Sequence, residues 1–336
     1  MGDFPNKPLG GRDYPRTWDE FHDWFHDESA CSSYVEQVRW PEGYVCPSCD
    51  EMDEPFRASR ARLVCRHCRH QGSVTAGTIF EKTRTPLRSW FAAIWYITNQ
   101  KHGVSALGMQ RMLGLGSYQT AWTMMHRLRQ AMVRPGRERL SGVVEVDETY
   151  VGGRTPAKGR RGRRRKKLAY QHDEYKSLVA IAVEIKEPKG FGRVRISRVE
   201  DSSEDSLLPF VCESIEPGSL VHTDGSWAYR SLSDSGYDRE RKVVLGADDP
   251  PHVSLPGVHR VASLLKRWLL GTHQGSIKPH QIDAYLNEFT FRFNRRTSRS
   301  RGLLFYRLIQ QAVMTEPLTY RQIADRRTTT YSGRWS

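Results

Sequence analysis

Four of the six cysteines fall in two identical steps, Cys46-Pro-Ser-Cys49 and Cys65-Arg-His-Cys68, with fifteen residues between them. Each step puts two thiols on one tight knuckle, and two knuckles complete a tetrahedron around a borderline-soft cation such as Zn²⁺. Disulfides are the alternative, and a chain without a secretion signal disfavours them. Four protein ligands leave no open coordination position, so the zinc expected on Cys46, Cys49, Cys65 and Cys68 is structural rather than catalytic. Short β-prone pieces, Arg62–Val64 and Ser73–Thr75, bracket the cysteines, which predicts a zinc ribbon over residues 39–82. His67 and His70 are possible ligands, but the cysteines already suffice. Cys31 and Cys212 lack a partner at ligand spacing and read as small buried hydrophobes.

The remaining chain is long enough for more than this module. At 336 residues, about two domains plus connectors are expected. No apolar run approaches the roughly 18 residues a membrane helix needs. The opening MGDFPNKPLGG has neither a secretory apolar region nor Ser or Thr at position six, so a cytoplasmic place is expected. Lysine and arginine number 52 against 38 acidic residues, a net charge of +14. Such an excess calls for a polyanionic partner, and counterion release makes nucleic acid the usual one. Eight of the charges lie in residues 158–167, KGRRGRRRKK, where Arg160, Arg161, Arg163, Arg164, Arg165, Lys166 and Lys167 form a candidate grip on the DNA backbone. A second cluster is Arg292, Arg295, Arg296, Arg299 and Arg301.

Helical spacing of Trp18, Phe21 and Phe25 predicts a short helix in the segment 18–38, leading into the ribbon. Pro86 opens an apolar helix, and two further helices joined by Gly-Leu-Gly-Ser read either as a helix-turn-helix with Ser117 as N-cap or as an ordinary helical hairpin. In the first case Gln119, Thr120, Thr123, His126, Arg127 and Arg129 are the contact candidates. After Arg134-Pro-Gly the texture turns to strands: 143–150, 177–185 and 193–200, a helix over 203–215, a strand over 219–224, then helices over 258–270 and 280–295. This order predicts a mixed α/β layer fold.

Two of these strands carry a carboxylate where an apolar side chain is the norm. Val143-Val-Glu145-Val-Asp147-Glu148 and Leu220-Val-His-Thr-Asp224 each deliver an aspartate, the second just before a glycine. Such a placement costs stability unless a cation neutralises it. Two aspartates at the ends of neighbouring strands suit Mg²⁺, which takes oxygen ligands and supports in-line displacement at a phosphodiester. Glu145 shares a strand face with Asp147 and is an additional ligand candidate, with a bridge to an arginine as its expected role; Glu148 points to the other face. Trp227 and Tyr229 follow Asp224 and either stack on a base or pack on the sheet.

The segments EVDETYVGG, HTDGSWAY, VHRVASLLKRWLLGTHQG and YLNEFTFRFNRR, in this order, resemble the DDE-type insertion-sequence transposases that have an N-terminal zinc ribbon and an RNase H-like (ISXO-type) catalytic domain. The resemblance runs over roughly residues 18–301. It implies metal-dependent DNA strand cleavage and strand transfer at inverted-repeat ends, with Asp147 and Asp224 as the first two ligands of Mg²⁺ or Mn²⁺. A glutamate is expected at the third position; this chain has His259, and relatives tolerate Asn or His there. An imidazole suits Mn²⁺ better than Mg²⁺. Lys266, two turns further along the same helix, is a candidate phosphate contact, and Glu288 is the competing third ligand. The rival reading is a decayed or domesticated zinc-ribbon DNA-binding protein, which His259 favours; a stand-alone nuclease leaves two recognition modules unexplained. The expected organisation is an N-terminal segment 1–38, ribbon 39–82, helical DNA-binding region 83–135, RNase H-like domain 140–300, and a C-terminal helix and tail 301–336. The expected partners are double-stranded DNA and further copies of the chain assembled on it, in a nucleoid-associated location, with no membrane.

Overall fold

The computed structural model describes residues 7–59, 61–134, 136–153, 176–186, 188–242, 255–275 and 277–324. The chain divides into two compact units: residues up to Arg134 join Thr297–Ala324 in one, and the stretch between them up to Arg296 forms the other.

In the first unit, helix α1 spans Trp18–Trp24 and α2 spans Glu28–Arg39. The segment 18–38 therefore holds two helices rather than the single one its aromatic spacing suggests. Asp27 makes the break: its backbone is extended and its carboxylate accepts the N–H of Ala30 at 2.8 Å, starting a new helix. The ribbon is a three-stranded antiparallel sheet of β1 (Phe56–Ala58), β2 (Arg62–Val64) and β3 (Gln71–Ser73). Strand β3 lies two residues earlier than expected, because Gln71 pairs with Val64 directly after the second knuckle.

Helix α3 (Leu87–Asn99) follows Pro86, and α4 (Ala106–Leu113) ends at Gly114 in the left-handed conformation, φ 62°. Helix α5 (Tyr118–Ala131) starts at Ser117, whose Oγ accepts the N–H of Thr120 at 3.1 Å. The chain returns to this unit through α9 (Arg301–Met314) and α10 (Tyr320–Ala324). Phe305 of α9 lies edge-on or tilted against Phe21, Phe25, Phe91 and Trp95, with ring centroids 5.6–5.7 Å apart. Gly302 lets α9 approach: a Cβ there would stand 1.8 Å from the Pro15 carbonyl oxygen.

The second unit is built on a five-stranded sheet of order β6-β5-β4-β7-β8. Its strands are β4 (Val143–Val151), β5 (Ser177–Ile185), β6 (Phe191–Arg198), β7 (Leu220–Thr223) and β8 (Asp238–Arg241). The first three form an antiparallel meander; β7 and β8 lie parallel beside β4. Helix α6 (Glu204–Ser214) covers one face, packing on Val144, Val146, Ala180, Ala182 and Val221. Helices α7 (Pro256–His273) and α8 (Ile282–Asn294) cover the other, on Val151, Val179, Ile181, Val183, Val194 and Ile196. The mixed α/β architecture expected from the strand and helix order is the observed one. Strand β8, with the sequence Asp-Arg-Glu-Arg, is an edge strand without the apolar alternation that would announce it.

Candidate active site and metal centre

The four cysteine sulfurs lie within 4.8 Å of one another. Cys46 Sγ is 3.6 Å from Cys68 Sγ, and Cys49 Sγ is 3.7 Å from Cys65 Sγ. A tetrahedral zinc with its usual bond length sets sulfurs about 3.8 Å apart, so the donors fit that ion. The N–H of Ser48 also donates to Cys46 Sγ at 3.4 Å, as expected of a knuckle. His67 is exposed and faces Asp53 at 3.8 Å, outside the sulfur cluster. Cys31 is fully buried, as a small hydrophobe should be.

The second site is set by the central strand. In the parallel pairing of β4 with β7, the last matched residues are Val146 and Thr223, so the next rung brings Asp147 beside Asp224. Val146 belongs to the core on the α6 face, so alternation turns Asp147 toward the α7 face. Asp147 Oδ1 accepts the N–H of Glu148 at 2.8 Å, and Asp224 Oδ1 accepts the N–H of Ser226 at 2.9 Å. Burial raises the Asp147 carboxyl to about 6; the charge of Asp224 adds to this, while the Glu148 N–H and Lys266 oppose it. Glu148 lies on the opposite strand face, as expected, where Tyr229 donates its hydroxyl to Glu148 Oε2 at 2.8 Å. Glu148 nevertheless feels both aspartates: burial first, then their charges, lift it to about 7 against the Tyr229 hydrogen bond. Half-buried carboxylates raised in this way, as Asp147 and Glu148 are, suit a site that a cation neutralises. One oxygen of each carboxylate is held by its own local donor, and among the described residues only the cysteines bring three ligand atoms within 4.8 Å.

Arg239 of β8 fixes the Asp224 turn. Its guanidinium donates to Thr223 Oγ1 at 3.0 Å and to the carbonyls of Asp224 and Ser226 at 3.3 and 3.1 Å. No sequence signal marks Arg239, because its contact depends on β8 lying beside β7. The same turn displays Trp227, 80% exposed, while Tyr229 is buried at 1%. Of the two aromatics, Tyr229 packs on the sheet.

Helix α7 brings His259 and Lys266 to this face. Lys266 lies close enough to Asp147 to favour its charged form. His259 acts in the same way on Glu145, a residue only 4% exposed. The expected bridge from Glu145 to an arginine is not what forms: Glu145 Oε2 accepts the N–H of Val258 at 2.9 Å, and the N–H of Gly257 bonds it too. The reason is that α7 starts directly over β4 and its first amides need an acceptor. Glu288 is fully buried on α8, with Arg292 at 3.5 Å, one helical turn on. The basic block with Arg160, Arg161, Arg163, Arg164, Arg165, Lys166 and Lys167 lies outside the described residues.

Half of the expected contact residues on α5 serve the fold instead. His126 and Arg129 are buried at 4% and 1%, and Arg127 donates to the carbonyls of Leu318, Ile79 and Glu81. Only the first turn of α5, with Gln119 and Thr120, is exposed, and Thr123 is half-buried. The reason is that α9 and α10 pack against α5 beyond this turn.

Residues 139–294 match the family described as ISXO2-like transposase domain, and residues 26–71 match the transposase zinc-ribbon domain. Over these two stretches the chain is similar to a transposase domain and to its zinc ribbon. The five-stranded mixed sheet with helices on both faces is the RNase H-like fold that such a DDE domain implies. Among curated proteins, the chain is 26% identical over 283 residues to an uncharacterized protein in transposable element ISH50 of Halobacterium salinarum, covering 80% of this chain and 91% of that one. Among solved structures, it matches a chain of a simian T-cell lymphotropic virus intasome in complex with PP2A regulatory subunit B56 gamma, with 15% identity and a TM-score of 0.26. That match covers 54% of this chain and 63% of the matched chain, less than two thirds of its length. No helix among the described residues is long and apolar enough to cross a membrane.

Proposed function

We propose that this protein cleaves and joins DNA strands at the inverted-repeat ends of its insertion sequence, with Asp147 and Asp224 as the carboxylates that hold Mg²⁺ or Mn²⁺. The observation that carries this reading is the parallel register of β4 and β7, which past Val146 and Thr223 brings Asp147 beside Asp224 within the stretch similar to a transposase domain. The divalent cation, when bound, polarises the phosphodiester and lowers the pKa of an attacking hydroxyl or water. The chain's own residues orient and balance charge. Arg239 keeps the Asp224 turn in place, the Tyr229 hydroxyl holds Glu148 on the other strand face beneath the pair, and Lys266 faces the phosphate. His259 takes the third position, because Glu288 is engaged with Arg292 in the core. In-line displacement by water or a 3′-hydroxyl needs no covalent enzyme intermediate. The structural zinc holds the ribbon, and the exposed first turn of α5 with the 158–167 block contacts duplex DNA. Bringing two ends together requires more than one copy of the chain, assembled on DNA in the nucleoid.

The test is strand transfer on end-containing duplex DNA in Mg²⁺ and in Mn²⁺. Metal-held charge stabilisation is worth several kcal/mol, so Asp147→Asn and Asp224→Asn should each lower the rate on the order of 1,000-fold. Wild-type rates in either variant would remove the assignment. Comparing His259→Ala with Glu288→Ala separates loss of turnover from loss of folding. A chain that binds ends without cutting them would show no turnover to lose, which is the outcome expected of a decayed copy.

A further inference from the structure

Helix α7 has an unusual start. Its N-cap, Leu255, offers no side-chain acceptor, and Pro256 at the first position has no N–H, so Gly257 and Val258 are the first amides left to satisfy. Both turn to Glu145, a carboxylate 4% exposed on the middle strand of the sheet, 113 positions away at Val258. A buried carboxylate is costly without partners, and here two backbone donors and the positive end of an 18-residue helix supply them. The contact is also close. A Cβ at position 257 would stand 2.7 Å from Ile185 Cδ1 and 2.9 Å from Glu145 Oε2, so a larger residue there would have to push the Glu145 carboxylate and the Ile185 side-chain end aside.

We infer that Glu145 is the positioning residue that docks the His259 and Lys266 helix onto the strand bearing Asp147, setting how deep and in what rotation that helix meets the aspartate pair. This rests on the catalytic reading of Asp147 and Asp224. Glu145 and Asp147 are two residues apart on one strand face, about 7 Å along the strand. Val258 is anchored by Glu145, His259 follows it directly, and Lys266 acts on Asp147 from two turns further on. The anchor and the site thus share one strand and one helix, with no flexible segment between them. A shift of about 1 Å in such a pairing is enough to cost about 100-fold in turnover.

The experiment uses full-length protein and compares Glu145→Gln, which keeps the shape and one neutral acceptor, with Glu145→Asp, which keeps the charge and shortens the reach. Strand-transfer kcat and KM for end DNA are measured well below the melting midpoint of each variant. Mn²⁺ affinity of the DNA-free protein is read by electron paramagnetic resonance. A positioning role predicts kcat lowered about 10-fold in Glu145→Gln and about 100-fold in Glu145→Asp, with KM within about twofold of wild type and Mn²⁺ binding weakened severalfold. If melting falls while kcat and Mn²⁺ affinity of the folded protein stay at wild-type values, Glu145 serves stability alone and the inference is overturned. Failure of Glu145→Gln to fold overturns it as well, because an isosteric change that unfolds the unit marks a core role. Asp147→Asn is run alongside. If it retains wild-type activity, the catalytic reading fails; if it is inactive while both Glu145 variants are fully active, only the positioning role fails.

Discussion

Glu184 shows how single side chains brace the frame around the site. It accepts the backbone N–H of Arg193 at 2.7 Å and a bidentate contact from the same arginine's guanidinium, joining β5 to β6. Burial pushes the Glu184 carboxyl up, but Arg193 outweighs it and holds the group below its ordinary value of 4.5. A depressed folded-state pKa contributes stability that is present above the unfolded value and lost as the pH falls through the folded one. Glu184→Gln is therefore expected to cost about 1–3 kcal/mol at pH 7, with the deficit shrinking as the pH drops below 4.5. Urea unfolding of both proteins across pH 3–7 checks it, and a pH-independent difference would contradict the ion-pair account. At this scale the sequence was most legible where a residue type breaks its own strand's pattern. Asp147 and Asp224 are conspicuous as carboxylates among β-branched neighbours. Arg239 was not legible, because arginine on an exposed strand is unremarkable until a neighbouring turn offers it three acceptors.

Among the elements, the ribbon depends most on its metal. Its three strands have three residues each, and β1 is exposed throughout, so little apolar burial holds them. Replacing Cys46 and Cys49 together by Ser should abolish a zinc content near one per chain and leave residues 41–71 open to proteolysis. Elemental analysis with limited digestion measures both, and unchanged zinc would dismiss the cluster as its site. Helix α5 shows where sequence reading reaches its limit. Its polar residues looked alike as DNA contacts, yet Arg127 satisfies three backbone carbonyls and His126 and Arg129 are buried. Which polar residue is spent on the fold depends on what packs against the helix.

For the whole molecule, chain order and spatial order part company. Phe305 completes an aromatic core whose other members lie some 200 residues and more earlier. Phe305→Ala is expected to cost about 3–5 kcal/mol, seen as a lower thermal midpoint of the unit containing Phe21 and Phe91, and an unchanged midpoint would contradict its core role. Charge is the other property of the whole. Replacing the eight basic residues of 158–167 by Ser should weaken binding to duplex DNA of any sequence and flatten the plot of log affinity against log salt. An unchanged slope in a salt titration would exclude the block from the phosphate contacts.

The amino-acid sequence by itself determined the chemistry this chain can carry: a four-thiol metal cluster, carboxylates in apolar strands and a large positive charge. These are legible because composition and short-range spacing decide them, and they depend on residues a few positions apart. Tertiary structure alone decided which carboxylates meet and what they are bound to. The β4–β7 register brings Asp147 beside Asp224, Glu145 turns to the amides of a helix rather than to an arginine, and α9 fills a core begun at residue 18. Contacts of that kind depend on the geometry of packed backbones, which local spacing does not specify.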